Sequence, residues 1–502
     1  MCNGLSLLGA QDALLRADCF LLKKILRASP LILGLCAASS ISWSAEPLLS
    51  PEDTAFFHDQ AMRIVKEARI AAGQVSVSEM SPEDKAALHD QAAKVMLSQR
   101  NSTPYAIYTP DGPRVYAAFF PRDSNMDLGA DFISLKDVEG WIKLMAATIP
   151  NVDWQVRPGI LVPAYSLPDH IYYDGKPSFF PGPARGNDQG GGSFGPMPPL
   201  DDPYFFLFSV CQQADMAKNA DFFRSQVMTP GGWVALSALC QKVFDASPCD
   251  PATGLVTTAD IDSDRNAHDF GFCDGVFKSG LLLFTSVLRY DAAMRLAPLY
   301  HAIGDAAMAE RLVKAAAQIK GNLGPTFYHE TMPGEGFLHS ATNFSNQPDV
   351  WGSAYAVDIG AVDPGTSKKV ARALLRGFRD HSLVINGWVT QVLPHDPAHP
   401  NGWMKSTCQL GYYQNGGYWG TGTGWYILAL HTIDPAAARD MAYDFVKSLR
   451  DNMRPDGTTQ AWEVLNAQGR ELQHAHYLAT VAFPYGLLNR AGLLPAVPVG
   501  LR

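Results

Sequence analysis

Four short stretches of this chain put carboxylates next to aromatic rings, side-chain amides and glycines, and any chemistry it performs is expected there. The first is Phe119-Phe120-Pro121-Arg122-Asp123. A guanidinium beside a carboxylate offers a bidentate donor and an acceptor, and neighbouring rings add stacking faces. That combination suits vicinal hydroxyl groups, although such a pair standing alone is commonly a plain ion pair at a helix start. The second stretch, Asp260 to Gly275, begins with three alternating acids, as a calcium loop does. Arg265 stands where the loop requires Gly, however, and Gly271 where it requires the closing Glu, so no metal is expected. Asp269 and Asp274 in the same stretch are flanked by Phe270 and Phe272. An apolar setting holds a carboxyl in its protonated form, ready to donate a proton, while helix capping is the plainer role for Asp274. The third stretch, Trp403 to Trp425, contains Tyr413, Gln414, Asn415, Tyr418 and Trp419 among glycines; it reads as a pocket wall rather than a core. The fourth runs from Thr459 to Arg470 around Trp462-Glu463, with Tyr477 opening an apolar segment just beyond.

Helices must position these loops. Apolar residues recur at helical spacing over Asp127–Ala147, Pro203–Ala217, Phe277–His301, Asp305–Lys320, Pro364–Arg379, Trp425–Thr432, Pro435–Asn452 and His476–Leu488. Several amphipathic helices open on the same signal, an Asp cap at Asp305, Asp363 or Asp434. They alternate with more uniformly apolar ones. A double ring of helix hairpins requires that alternation, because its inner ring is covered on both sides. The segment Ser50-Pro51-Glu52-Asp53 to Ala61 recurs as Ser81-Pro82-Glu83-Asp84 to Ala92, so two similar helices are expected there. Long Gly/Pro/aromatic loops separate the helices, and loops of that length are uncommon unless functional. No strand alternation supports a large sheet, and no dinucleotide or P-loop motif occurs. The class expected is therefore all-α, without a cofactor.

The bulk composition excludes some partners. Of 502 residues 18% are charged, the net charge is −9 and no basic stripe exists, so nucleic acid is not an expected partner. Lys23, Lys24 and Arg27 precede the apolar run Leu31–Ile41, which ends in small residues. This reads as a secretory signal within residues 1–45, too short for a stable membrane anchor, and implies a periplasmic or secreted protein. Beyond it five cysteines remain, of which Cys240 and Cys249 are close enough in sequence to bond across a short loop.

Taken in order, the four stretches resemble the six-hairpin glycosidases, which include glucoamylases, trehalases, neutral invertases, debranching glucosidases and rhamnosidase-like enzymes. Phe120-Pro121-Arg122-Asp123 is similar to their sugar-holding segment near the first inner helix. His268-Asp269-Phe270-Gly271-Phe272-Cys273-Asp274 stands where they carry the general acid, and Trp462-Glu463 through Gly469 to Tyr477 where they carry the general base. The resemblance implies an (α/α)6 toroid over residues 101–502, with residues 46–100 as a helical segment packing on it. It also implies an inverting hydrolase acting on a carbohydrate, with Glu463 as base and Asp269 or Asp274 as acid. Leu200-Asp201-Asp202-Pro203 resembles another acidic helix start, which makes Asp201 or Asp202 the next candidate for the acid, and Gln347-Pro348-Asp349-Val350-Trp351 resembles a pocket-lining segment in which Asp349 is the third. An inverting pair would stand roughly 6.5–9.5 Å apart. Two rival readings remain: a polysaccharide lyase drawing on His474, His476 and Tyr477, and a glycan-binding protein without turnover.

Overall fold

The computed structural model describes residues 46–71, 106–108, 118–127, 132–172, 177–179, 198–258, 275–466, 468–473 and 476–497. The signal-like segment, the second copy of the Ser-Pro-Glu-Asp repeat, Asp269 and Asp274 lie outside them. Among the described residues twelve α-helices follow one another: α1 Pro51–Ala68, α2 Pro121–Asp127, α3 Leu135–Ala146, α4 Asp202–Ala217, α5 Leu236–Ala246 and α6 Leu283–Ala302. The second half comprises α7 Ala306–Phe327, α8 Val350–Asp358, α9 Pro364–Arg379, α10 Thr423–His431, α11 Pro435–Asp451 and α12 Leu478–Arg490.

The even-numbered helices form a closed ring. Helix α2 touches α4, α4 touches α6, and so on through α8, α10 and α12, which returns to α2. The odd-numbered helices lie outside: α3 and α5 pack on α4, α7 on α6, α9 on α8 and α10, and α11 on α10. Helix α1 packs on α12 and α11, so Pro51–Ala68 supplies an outer position of the ring. This is an (α/α)6 toroid, read directly from which helix touches which.

Residue chemistry sorts the helices between the rings. Outer helices are amphipathic and capped: Ser50, Asp305, Asp363 and Asp434 each accept a backbone N–H from the first turn of α1, α7, α9 and α11. Such caps each contribute about 1 kcal/mol. Inner helices are apolar on most faces, as in Tyr204-Phe205-Phe206-Leu207-Phe208 of α4, all buried. A helix apolar all round has no preferred face and must be enclosed. For that reason α8 has no helical period to read, and it escapes the spacing rule that finds α9.

Sheets are small. The widest joins five short strands in the order Val384–Ile385, Trp388–Thr390, Tyr418–Trp419, Val464–Leu465 and Glu471–Gln473. It carries the third and fourth stretches into one place. Cys211, Cys240 and Cys249 are free thiols. The expected Cys240–Cys249 bond is absent, since Cys240 is buried in α5 and Cys249 Sγ instead lies 3.2 Å from the Ser247 carbonyl. No helix among the described residues is long and apolar enough to cross a membrane.

The inner helices α2, α4 and α12 meet at their N-terminal ends, where Arg122 contacts Asp201 and Asp202 and Tyr477 contacts Asp123. On α6, Arg295 grips Asp291 through two bonds of 2.8 and 2.7 Å, and the Tyr355 hydroxyl donates to the same carboxylate at 2.6 Å. Asp358 ends α8 nearby. Burial, and then the charge of Asp291, push its carboxyl up to about 7, against the opposing pull of Arg490 and Arg295. A raised folded-state pKa means that the native protein holds the proton longer than the unfolded chain. Stability therefore falls as pH rises from the unfolded value near 4 to about 7, by a few kcal/mol in order of magnitude. Asp358→Asn is expected to raise the melting temperature at about pH 8 and to leave it unchanged near pH 4. A substitution equally stabilising at both pH values would refute that origin.

Candidate functional site

Four inner helices bring site candidates to the loop-bearing face at their first residues. Pro121 starts α2, which places Arg122 and Asp123 in its opening turn. Asp201 and Asp202 open α4, Asp349 caps α8, and Tyr477 precedes α12. Helix N-termini carry partial positive charge, so this face favours ionised carboxylates.

Because α2 lies between α4 and α12 in the ring, its first turn meets both neighbours. On one side Arg122 Nε forms an ion pair with Asp201 at 3.1 Å, and Nη2 donates to Asp202 at 3.4 Å. Asp169 approaches the same Nη2 at 3.8 Å. Asp201 and Asp202 are fully buried. Asp201 makes no side-chain capping bond to its own helix; its carboxylate is turned toward Arg122 instead. On the other side, the Tyr477 hydroxyl donates to Asp123.

Tyr477 also ties in the fourth stretch. Its backbone N–H donates to the Ala461 carbonyl at 2.7 Å, and Thr480 Oγ1 donates to the Trp462 carbonyl at 2.8 Å. These bonds fix the two residues ahead of Glu463, which is 2% exposed. Asp123 and Glu463, 340 positions apart in the chain, are thus anchored to one residue at the head of α12. A buried carboxylate can act as a general base toward a water or hydroxyl brought within hydrogen-bond reach of it.

The third stretch is tied down more tightly than its glycines suggest. Asn415 accepts from Trp403 N–H at 2.7 Å and donates to the Asn401 and Cys408 carbonyls at 3.0 and 2.8 Å. Gln414 Oε1 accepts from the Gly275 N–H at 2.6 Å, and Trp403 Nε1 donates to the Gln414 carbonyl at 2.9 Å. These amides staple the loop. Tyr413, in the left-handed region at φ 47°, lies against Trp419, whose ring also faces Trp351 and Tyr477. Tyr418 and Trp419 are buried strand residues. The glycines permit close packing: a Cβ on Gly422 would lie 2.4 Å from Trp351 Nε1, and one on Gly420 2.5 Å from Thr480 Cγ2. Trp351 is therefore part of an aromatic floor beneath the mouth, and Trp462 is half-buried beside it.

Asp349 caps α8 through the Gly352 N–H at 2.8 Å, and Lys278 approaches its other oxygen at 3.7 Å. Lys278 is wholly buried, with its ammonium 5.3 Å from the Trp403 ring. Lys278 was not singled out by sequence reasoning, nor were Asp169 and His170. His170 stacks on Phe120 at 5.0 Å and bonds Asp169 at 2.8 Å. The only local signal for that pair was a Pro-Asp-His step entering an Ile-Tyr-Tyr run. Of the residues of the lyase reading, His476 Nδ1 lies 3.2 Å from Glu67 of α1, Tyr477 donates to Asp123, and His474 is outside the described residues. Asp269 and Asp274 are also outside them. No group of His, Cys, Asp and Glu among the described residues has metal-binding geometry.

No protein-family model and no curated protein matches the chain. Among solved structures it is similar to a glycosidase variant in complex with glucose, at 15% identity over 83% of this chain and 100% of that one, with a TM-score of 0.47. It is also similar to the GH78 family rhamnosidase of Bacillus sp. GL1, at 14% identity over 85% and 36% of the two chains, with a TM-score of 0.48. A third similarity is to the GH63 mannosylglycerate hydrolase from Thermus thermophilus, at 13% identity over 80% and 99%, with a TM-score of 0.46.

Proposed function

We propose that the protein is an exported glycoside hydrolase that cleaves a glycosidic bond by inversion at the mouth of the toroid. Glu463 is the general base, and Asp269 or Asp274 the general acid. The acid protonates the leaving oxygen while Glu463 takes a proton from a water that attacks the anomeric carbon from the opposite face. Arg122 and Asp123 hold sugar hydroxyls.

One observation carries this reading: Tyr477 anchors both Asp123 and the backbone leading to Glu463, giving a donor–acceptor pair and a buried carboxylate a common origin. Support for the acid comes from the residue that follows it. Gly275, the residue after Asp274 in the sequence, donates its N–H to Gln414 of the third stretch. Export rests on the basic, apolar and small-residue run within residues 1–45.

A hydrolysis screen over a glycan library, followed by NMR of the first-formed anomer, tests the proposal. Product of opposite anomeric configuration to the substrate is expected. Product of the same configuration would replace inversion by retention, and an unsaturated product absorbing in the near ultraviolet would replace hydrolysis by elimination.

A further inference from the structure

The Asp169–His170 pair holds a buried polar atom that none of the described residues satisfies. The His170 ring is 4% exposed, stacked on Phe120 at 5.0 Å and met edge-on by Tyr172 at 4.8 Å. Its Nδ1 is 2.8 Å from Asp169 Oδ2. A carboxylate only accepts, so Nδ1 carries the hydrogen, and in that tautomer Nε2 offers a lone pair. That Nε2 is buried and has no hydrogen-bond partner among the described residues. A buried acceptor without a partner is costly. Phenylalanine would keep both ring contacts without that cost.

The pair is also wired to the site. The second oxygen of Asp169 is 3.8 Å from Arg122 Nη2, and Phe120 is two residues before Arg122 in the chain. The strand bearing His170 pairs with Ala118–Phe119, which leads directly into α2. The imidazole is thus fixed in tautomer by Asp169 and in plane by Phe120, beside the guanidinium assigned to hold a sugar.

We propose that His170 Nε2 accepts a hydrogen bond from one hydroxyl of the bound sugar, making His170 a specificity-determining residue. The proposal rests on the carbohydrate-binding reading of the Arg122 site. It does not require that the bound sugar be hydrolysed. Binding must shift the aromatic cover of the ring, and only a sugar bearing a hydroxyl at the matching position recovers the cost of doing so. A site built around a hydroxyl rejects the deoxy analogue far more strongly than an apolar pocket can.

Two substitutions separate the two nitrogens. His170→Asn places an amide N–H where Nδ1 stands, keeping the bond to Asp169 and removing Nε2. His170→Gln reaches toward the Nε2 position instead. The probes are D-glucose, D-mannose, D-galactose, L-rhamnose and their monodeoxy derivatives, titrated calorimetrically into the full chain. Side-chain nitrogen NMR of the histidines in the unsubstituted protein gives a readout independent of variant folding.

For the sugar that binds, loss of one particular hydroxyl is expected to weaken affinity at least about tenfold and to abolish the ligand-induced shift of the His170 Nε2 resonance. His170→Asn is expected to bind parent and deoxy sugar equally, and His170→Gln to keep part of the discrimination. Wild-type affinity and discrimination in His170→Asn, or an unmoved Nε2 resonance on sugar binding, would overturn the proposal. His170-dependent binding without hydrolysis would leave it standing and remove the hydrolase. Hydrolysis unaffected by His170→Asn would do the reverse.

Discussion

Glu463→Gln is expected to lower kcat on the identified glycoside by about a thousandfold, within the range for removing a general base, while KM changes little. The amide keeps the size and planarity of the carboxylate, so packing around this 2%-exposed side chain persists. What it cannot do is take a proton from water. Thermal unfolding should shift little, because the bonds that hold the preceding residues end on main-chain carbonyls and do not use the Glu463 side chain: Tyr477 N–H donates to the Ala461 carbonyl and the Thr480 hydroxyl to the Trp462 carbonyl. The shorter Glu463→Ala opens room for a small anion. Added azide should then restore turnover and yield a glycosyl azide, the azide replacing water at the anomeric carbon as the leaving oxygen takes the acid's proton. Near wild-type hydrolysis by Glu463→Gln would remove Glu463 from the mechanism. A large loss of activity together with a large loss of melting temperature would assign it a structural role instead.

The parts of this site that were legible in the sequence are those whose chemistry is local. Asp305, Asp363 and Asp434 cap the helices they precede, because a cap needs only its own first turn. Arg122-Asp123 and Glu463 stood out as charged residues among rings and glycines, and both reach the mouth through Tyr477. The parts that were not legible depend on contacts across the ring. Asp169 immediately precedes the strand His170–Tyr172, and nothing near it in sequence indicates that it approaches an arginine 47 positions earlier. The glycine-rich run at 416–424 was read as pocket wall on composition. Packing decides otherwise at Gly420 and Gly422, where Thr480 and Trp351 approach too closely for any side chain. Asn415 likewise carries pocket-like chemistry, but three bonds within its own loop use it. Composition shows that polar groups are present; only the fold shows where their hydrogen bonds go.

Arg122→Met should be the most destabilising single substitution at the mouth. Methionine keeps much of the volume of the arginine stem and removes the charge that faces Asp201, Asp202 and Asp169 from α2. Breaking a buried ion pair from one side costs about 3–5 kcal/mol, since the remaining charges stay desolvated. Here the acids belong to α4 and to the segment before it, so the penalty falls on the α2–α4 contact that helps close the inner ring. Removing one acid as well should recover part of it: Arg122→Met with Asp201→Asn should be more stable than Arg122→Met alone, although Asp201→Asn by itself should destabilise. That reversal of sign is a coupling between the two positions, and urea unfolding of the four proteins measures it. Simple additivity would mean that Arg122 contributes through packing of its stem and not through its charge. It would also weaken its assignment as the charged group that meets the sugar, because a guanidinium not held by the acids at the head of α4 has no fixed direction in which to donate.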